Sequence, residues 1–532
     1  MSKIFDVVIV GYGPVSQLLA LALGRQGRTV AIIERWKERY PLPRAVAIDH
    51  ELYRVLHANG LGTLLPKLSH GGDLYHWYNA NWKELLVLDW SEDAVSGGTF
   101  TSFVHQPTLE WAIDGAVTTF DNITLLLGKE AEAIRQDDDK AWVDITDVET
   151  GAADRIAGRY LVGCDGANSK VRQEIGSEQE DLGFQAHWLV IDVMLKEGVT
   201  IESLGIPLAA QYCNPAQPTT IVPGGVSHGR MFRRWEFMIL PGVDPASMET
   251  EEKVWELLKP WAGPDDVELV RHKIYNFRSL IARDWRDGRV LLAGDAAHVM
   301  PPFLGQGMCS GFRDAWNLAW RLGLIFDGEA DDSLLDGYQL ERSPHVRHLI
   351  EMSVYLGKII CIPDEEGAAR RDQAFFSGTN APFPDFPHLT GGLLRHDAQG
   401  QQPGAGEVSP HSDITWHGET GRMDDLTGPG FLLITRDDIA IPRQLGGLPL
   451  HKLVLDDRAA EDHAVMHDDR IGKFLDEMGW SAMVVRPDYY VYGGATPGGE
   501  AELLSEFADD LASRGVRLRE QARDREPHRS IA

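Results

Sequence analysis

The stretch Gly11-Tyr-Gly13-Pro-Val-Ser16 limits what this chain can fold into more than any other. It follows an apolar, β-branched run over residues 5–10, interrupted only by Asp6. It opens a helical pattern over residues 14–23 that ends near Gly24, and a second apolar run, residues 29–33, completes a βαβ unit. In such a unit a glycine at position 11 permits the tight turn out of the strand, and one at position 13 lets backbone approach a pyrophosphate. The third position of the pattern, usually glycine for close helix–strand packing, is Ser16; it is small, and a helix set slightly further out is the expectation. The helix N-terminus at Pro14 and Val15 supplies N–H groups and the positive end of a dipole to phosphate. Glu34 ends the second run, 23 residues after Gly11, where a carboxylate accepts ribose hydroxyls. Strand, helix and acid together imply dinucleotide binding. The alternative is a tight βα turn that binds nothing.

A chain of 532 residues is too long for one core, so two or three domains are expected. The formal charge of -29 repels nucleic acid and anionic lipid, which removes both as expected partners. The four cysteines, Cys164, Cys213, Cys309 and Cys361, form no CxxC pair, which argues against a disulfide framework or a metal site. The N-terminus lacks a basic region and a cleavage site, and no apolar run approaches the ~20 residues of a membrane span. A reducing, cytoplasmic setting is the expectation.

Two later apolar segments end at a Gly/Asp turn as the first one does. They are Tyr160-Leu-Val-Gly-Cys164 before Asp165-Gly166, and Val290-Leu-Leu-Ala293 before Gly294-Asp295. Between them, residues 188–192 and 235–240 read as strands of a more antiparallel layer. The expected architecture is α/β, with a discontinuous Rossmann-like domain over residues 1–75, 106–180 and 286–370. An inserted β-sheet domain takes 76–105 and 181–285. After Gly311 a long helix carries Ala315, Leu318, Ala319 and Leu322 on one face. Residues 376–412, rich in Pro, Gly and His, read as a linker. A small α/β domain follows over 400–515, and the charged stretch 517–532 reads as disordered.

Asp165-Gly-Ala-Asn-Ser169-Lys-Val-Arg172 and Gly294-Asp295-Ala-Ala-His298, the latter followed by Pro301-Pro302 and Gly305-Gln-Gly307, decide which dinucleotide. With Arg44-Ala45 and Gln106-Pro107 they resemble, in order, the motifs of the class A flavoprotein aromatic hydroxylases, in particular the branch acting on 3-(3-hydroxyphenyl)propionate. The resemblance is strong over residues 1–365 and weak beyond. It implies non-covalent FAD, held by Gly11, Gly13, Pro14, Val15, Glu34, Arg35, Arg44, Gln106, Asp165, Gly166, Asp295, Pro302, Gly305, Gly307 and Met308. Asp295 would accept from the ribityl hydroxyls, and the helix beginning near Gly307 would stabilise negative charge on the reduced ring. The resemblance also implies NAD(P)H docking in a shallow groove, and O₂ as co-substrate. A phenolic ring would be hydroxylated through a flavin hydroperoxide, by a single-component enzyme that admits a homodimer. The final domain resembles the thioredoxin-like appendage of larger family members, around Val485-Arg486-Pro487-Asp488, without any CxxC.

For the group that accepts the phenol proton, Tyr275 and His50 are the candidates. Tyr275 could equally be a satisfied core tyrosine, and His50 follows Asp49, a helix cap by its pattern. Arg233 and Arg234 could meet a substrate carboxylate, with a solvated face as the plainer reading. Cys309 replaces the family's usual Asn after the GQG segment, leaving flavin positioning there open. Two other functions stay open: a flavin monooxygenase for a larger polycyclic or antibiotic-like substrate, and a non-catalytic flavin-binding redox sensor.

Overall fold

The computed structural model describes residues 3–38, 44–227, 229–455 and 463–519. The expected tail lies mostly outside them, since residues 520–532 are not described. The chain divides into two compact units. The first comprises residues 1–93, 98–312 and 346–386, and the second 94–97, 313–345 and 387–532.

In the first unit, valine- and isoleucine-rich runs form the centre of a sheet buried on both faces, as parallel strands covered by helices must be. Ile4–Val10 lies between Ala153–Gly163 and Val30–Glu34, parallel to both. Val290–Leu292 extends it beyond Ala153–Gly163, and Ile123–Leu127 beyond Val30–Glu34, both parallel. The carboxyl ends of Ile4–Val10, Ala153–Gly163 and Val290–Leu292 therefore reach one edge, where open α/β sheets bind their ligands. These are the three segments that the sequence ends in Gly/Asp-type turns. Pro14–Arg25 follows the first of them, with the helix and strands within a residue or two of their expected bounds.

The second sheet of this unit has eight strands. Its centre is Val267–Ala282, Gln179–Leu195, Arg230–Met238 and Thr219–Ser227, all antiparallel. Ala209–Cys213, Leu74–Asn79 and Glu84–Asp89 follow in that order. Alternate residues of a strand face opposite sides. On one side Leu189, Ile191, Val193, Ile221, Trp235 and Phe237 pack with Val254 and Leu258 of the helix Glu251–Leu258. On the other, Trp188, Val222, Met238, Tyr75 and Trp77 pack with Phe103 and Phe303. Phe303 lies in the short turn Pro302–Leu304, just before Gly305, so this face of the sheet borders the third nucleotide-type segment.

The second unit is built on a seven-stranded mixed sheet whose core includes Ile414, Ile434, Leu453, Met483 and Val491. Glu500–Ser513 is the helix expected near its end. The stretch read as a linker holds the boundary between the two units, after Phe386, but its later part is packed: Leu389 and Leu394 are buried with Ala405 and Tyr490, and Gln401 Nε2 donates to the carbonyls of Leu389 and Ala405. Apolar residues spaced among prolines and glycines were enough to pack it.

The centre of this unit is polar. Arg321 Nη2 and Arg486 Nη2 each lie 2.6 Å from Glu341 Oε2, and Leu393 N donates to Glu341 Oε1 at 2.9 Å. Arg486 also holds Asp488 at 2.7 Å, and Asp488 accepts from Asn317 Nδ2 and Trp320 Nε1. Burial alone would raise the Glu341 carboxyl, but the guanidiniums of Arg321 and Arg486 outweigh it and hold the group well below the usual carboxylate range. Removing one member of such a network strands the others without solvent, at a cost of about 3–5 kcal/mol, against less than ~1 kcal/mol for an exposed pair. Glu341→Ala should therefore lower the denaturant midpoint sharply, while Glu366→Ala, which breaks the exposed pair with Arg370, should leave it nearly unchanged. A carboxyl depressed in the folded state stabilises fully above its unfolded pKa of about 4.3, and the contribution wanes as pH falls below that. The gap between Glu341→Ala and the unaltered protein should accordingly narrow in acid. Equal midpoints at neutral pH would refute the assignment.

Candidate functional site

Three turns at the sheet edge are locked together by close backbone approach. Gly11 has φ +98°, and a Cβ there would lie 2.5 Å from the carbonyl oxygen of Cys164, in the second turn. Gly294, in the third turn, has φ +61°, and its Cβ would meet a methyl of Val15 at 3.0 Å. Gly311 faces the same valine, where a Cβ would lie 2.5 Å from it. Val15 thus packs where the third turn and the helix Gly307–Phe326 meet, since a Cβ on Gly311 would also lie 3.1 Å from the Cα of Gly294. Arg172 fastens the second turn to the third, donating to the carbonyls of Ala296 at 2.8 Å and Ala167 at 2.9 Å.

Within this frame the expected FAD residues take definite places. A Cβ on Gly13 would meet no protein atom within 4 Å, which leaves the start of Pro14–Arg25 open to a phosphate. Glu34 sits at the end of its strand and accepts from the backbone N–H of Tyr12 at 2.8 Å and Trp36 at 2.9 Å, which fixes the carboxylate beside the first turn. Arg35 is exposed and lies over the Trp36 ring. Gln106 begins the helix Gln106–Val117, and its side-chain oxygen accepts from the N–H of Arg44 and of Ala45, so it positions that segment through backbone. Asp165 accepts from Ser169 Oγ and from the N–H of Lys170 and Val171, capping the short helix that follows, with Gly166 beside it at φ +81°.

Asp295 is open to solvent, yet enough protein surrounds it to push its carboxyl above the ordinary range, against the pull of His298 and Arg44. A carboxylate on the wall of a deep recess has both properties. Gly305 is exposed and turns at φ +67°, its Cβ position 3.9 Å from Ala47. Gly307 and Met308 begin the long helix, and Pro302 opens the turn before it. An open first turn, a fixed acid at the ribose position and a recessed acid near a second helix start fit FAD. The two departures are absorbed locally: Ser16 Oγ donates to the carbonyl of Gly13 at 2.7 Å, and the buried Cys309 thiol turns back to the carbonyl of Gly305.

On the second sheet, Tyr275 stands in register with Trp188, and its hydroxyl accepts from Arg271. His50 is the first residue of the helix His50–Leu56, its ring 5.5 Å from Phe100, while Asp49 caps the helix by accepting from Leu52 N at 3.0 Å. The solvated reading of Arg233 and Arg234 is overturned, since both are buried. They face opposite sides. Arg233 lies over Trp235 and donates to the carbonyl of Pro207, and burial pulls it down to about 9. Arg234 pairs with Asp192 at 2.7 Å and donates to the carbonyl of Arg44.

Sequence reasoning missed the polar groups beside Arg234. Glu236, two residues on, is 7% exposed, and its ion pair among the described residues is with Arg234 Nη1 at 3.7 Å. Thr220, in register with Glu236, donates to Gln211 Oε1 at 2.9 Å, and Gln211 Nε2 donates to the hydroxyl of Tyr75 at 2.6 Å. Trp188 Nε1 is buried without an acceptor among the described residues. The available signal was the two-residue alternation Arg234, Glu236, Met238 in a strand whose intervening residues, Trp235 and Phe237, are large and apolar.

The family described as FAD binding domain matches residues 5–353. The "Probable NADH-specific resorcinol 4-hydroxylase" of Rhodococcus jostii is 36% identical over 96% of this chain and 95% of that protein. The 3-(3-hydroxy-phenyl)propionate/3-hydroxycinnamic acid hydroxylase of Mycolicibacterium smegmatis is 33% identical over 81% of this chain and 76% of its own length. Among solved structures, the flavin-dependent monooxygenase PieE with FAD and substrate superposes with a TM-score of 0.80 at 21% identity, covering 96% of this chain and all of that one. Aklavinone-11 hydroxylase with FAD and aklavinone gives 0.76 at 20% identity over 96% of this chain and all of that one, so both share the fold. With the family matched over most of its length and two relatives above 30% identity, this chain belongs to the FAD-dependent aromatic hydroxylases.

Proposed function

We propose that this chain is a single-component hydroxylase of small, uncharged phenols of the resorcinol type, with NADH as reductant. The balanced reaction inserts one oxygen atom of O₂ into a ring C–H bond and reduces the other to water with the hydride of NADH and one proton from solvent. FAD, when bound, accepts the hydride and activates O₂. Gly11, Gly13 and the start of Pro14–Arg25 would hold its pyrophosphate, Glu34 a ribose, Asp295 the ribityl chain, and Gly305, Gly307 and Met308 the ring edge. The observation that carries the reading is the segment from Pro301 to Gly307, which joins the expected flavin edge to the second sheet. Its glycines line the expected flavin edge, and Phe303 packs into the aromatic face of the second sheet.

Charge balance on that face supports an uncharged substrate. Arg234 is engaged by Asp192 and the Arg44 carbonyl, and Arg271 by Tyr275 with Asp192 at 3.9 Å. A substrate carboxylate would compete with Asp192 and Glu236 for these cations, and an uncompensated buried charge is costly. The name of the 36% relative points the same way. The same substrate panel tests a carboxyalkyl phenol and a polycyclic ring as alternatives.

Two outcomes follow. Asp295→Ala should weaken FAD binding about 10- to 100-fold, the size of one or two hydrogen bonds to a charged group, with thermal unfolding of the apoprotein unaltered. Unchanged FAD affinity at equal stability would make Asp295 a turn residue only. With FAD bound, NADH oxidation should be slow alone and rise more than tenfold with resorcinol, which needs only about 1.4 kcal/mol of differential stabilisation. The product should carry one ¹⁸O from ¹⁸O₂. Equal rates of flavin reduction with and without phenol discard the gating, and a product without ¹⁸O discards the monooxygenase reading.

A further inference from the structure

We infer that Glu236 accepts the proton of the substrate's phenolic hydroxyl, and that Tyr75 donates a hydrogen bond to the same oxygen. The inference rests on the phenol-hydroxylase reading and names the groups that make the ring nucleophilic.

Position is the first argument. Glu236 lies between two same-face neighbours that both reach flavin-binding segments. Arg234 donates to the carbonyl of Arg44, and Met238 packs in the cluster that contains Phe303. A ring held against Phe303 on this face therefore has Glu236 as a neighbouring carboxylate.

Unused bonding capacity is the second. Glu236 is buried, but its carboxylate accepts no hydrogen bond among the described residues. Buried carboxylates are ordinarily satisfied, and those that are not point to a missing partner. Tyr75 is 5% exposed and stacks on Trp90 at 4.1 Å. Its oxygen accepts from Gln211, whose own oxygen is taken by Thr220, so the amide is fixed in the sense that makes Tyr75 a donor outward. Its hydroxyl hydrogen has no acceptor among the described residues. One acceptor and one donor, both unsatisfied and on one apolar face, match a phenolic O–H.

Electrostatics agree. Burial raises the Glu236 carboxyl above the ordinary range, with Asp192 adding to the effect and Arg234 and Arg271 opposing it. A base is most effective when its pKa approaches the working pH. Tyr75 itself stays protonated, since burial raises it far above neutrality, with Glu236 acting in the same direction. In the step, the phenolic O–H bond breaks, the proton passes to a Glu236 oxygen, and the electron pair remains on the ring oxygen. The proton returns to that oxygen as the ring regains aromaticity. Tyr275, by contrast, already holds Arg271 through its hydroxyl.

The test uses the FAD-loaded full chain with resorcinol, NADH and O₂. Glu236→Gln should keep its FAD and still consume NADH. Product should fall by about 10²-fold, with H₂O₂ taking its place. Activity requires the carboxylate form, so the unaltered enzyme should lose kcat as pH falls through the Glu236 pKa, and Glu236→Gln should lose that limb. 2,4,5-Trifluororesorcinol, which keeps one ring C–H beside a hydroxyl and ionises without a base, should restore product in Glu236→Gln. Tyr75→Phe should raise KM for resorcinol more than it lowers kcat. Wild-type product yield in Glu236→Gln, or the variant's failure to recover with the fluorinated phenol, overturns the inference. If Glu236→Gln does not fold, the unaltered enzyme decides, since an acid limb identical for both phenols also overturns it. Absence of product from any phenol with the unaltered enzyme defeats the phenol-hydroxylase reading instead.

Discussion

Everything at the sheet edge depends on three segments approaching closer than side chains allow. Gly11 lies against the Cys164 carbonyl, and Gly294 and Gly311 lie against each other and against Val15. A Cβ at Gly11 would overlap backbone, which cannot yield as a flexible side chain can. The turns are therefore fixed relative to each other before any ligand arrives, and a preformed site binds without the cost of ordering it. The serine at position 16 fits this frame because its hydroxyl returns to the carbonyl of Gly13 rather than pushing the helix away.

The second sheet contributes a different kind of order. Its face toward Phe303 is largely aromatic, and its charges come in balanced sets: Asp192 with Arg234 and Arg271, Glu236 beside Arg234. Arg234 belongs to both halves of the site, since the same guanidinium that pairs with Asp192 holds the Arg44 carbonyl. That backbone is held from its other side by Gln106. The segment around Arg44 is thus tied to the second sheet by Arg234 and to the helix Gln106–Val117 by Gln106.

The nucleotide frame was legible because its signals are local. A glycine pair after a β-branched run, an acid at a set distance and two further Gly/Asp turns each report on a few neighbouring residues. The substrate face was not, because strand register assembles it. Tyr75, Gln211, Thr220 and Glu236 come from four strands, and nothing near Glu236 in sequence announces Tyr75. Arg233 and Arg234 looked like one solvated pair because adjacent charges usually are; in a strand covered on both sides they are two buried groups facing opposite ways. The charge cluster around Glu341 was hidden for a similar reason, since its partner Arg486 lies 145 residues away.

Because the groups beside Phe303 ride on a strand, their identity is tied to a two-residue reading frame. One residue inserted early in Arg230–Met238 would slip that frame by a single step. Arg234, Glu236 and Met238 would turn to the helix side, while Arg233, Trp235 and Phe237 would join the aromatic face. The acid would vanish from the site although every residue type were still present. Changes of substrate in this architecture are therefore open to single-residue exchange along the strand and closed to changes of length within it. Additions and losses belong in the turns at either end.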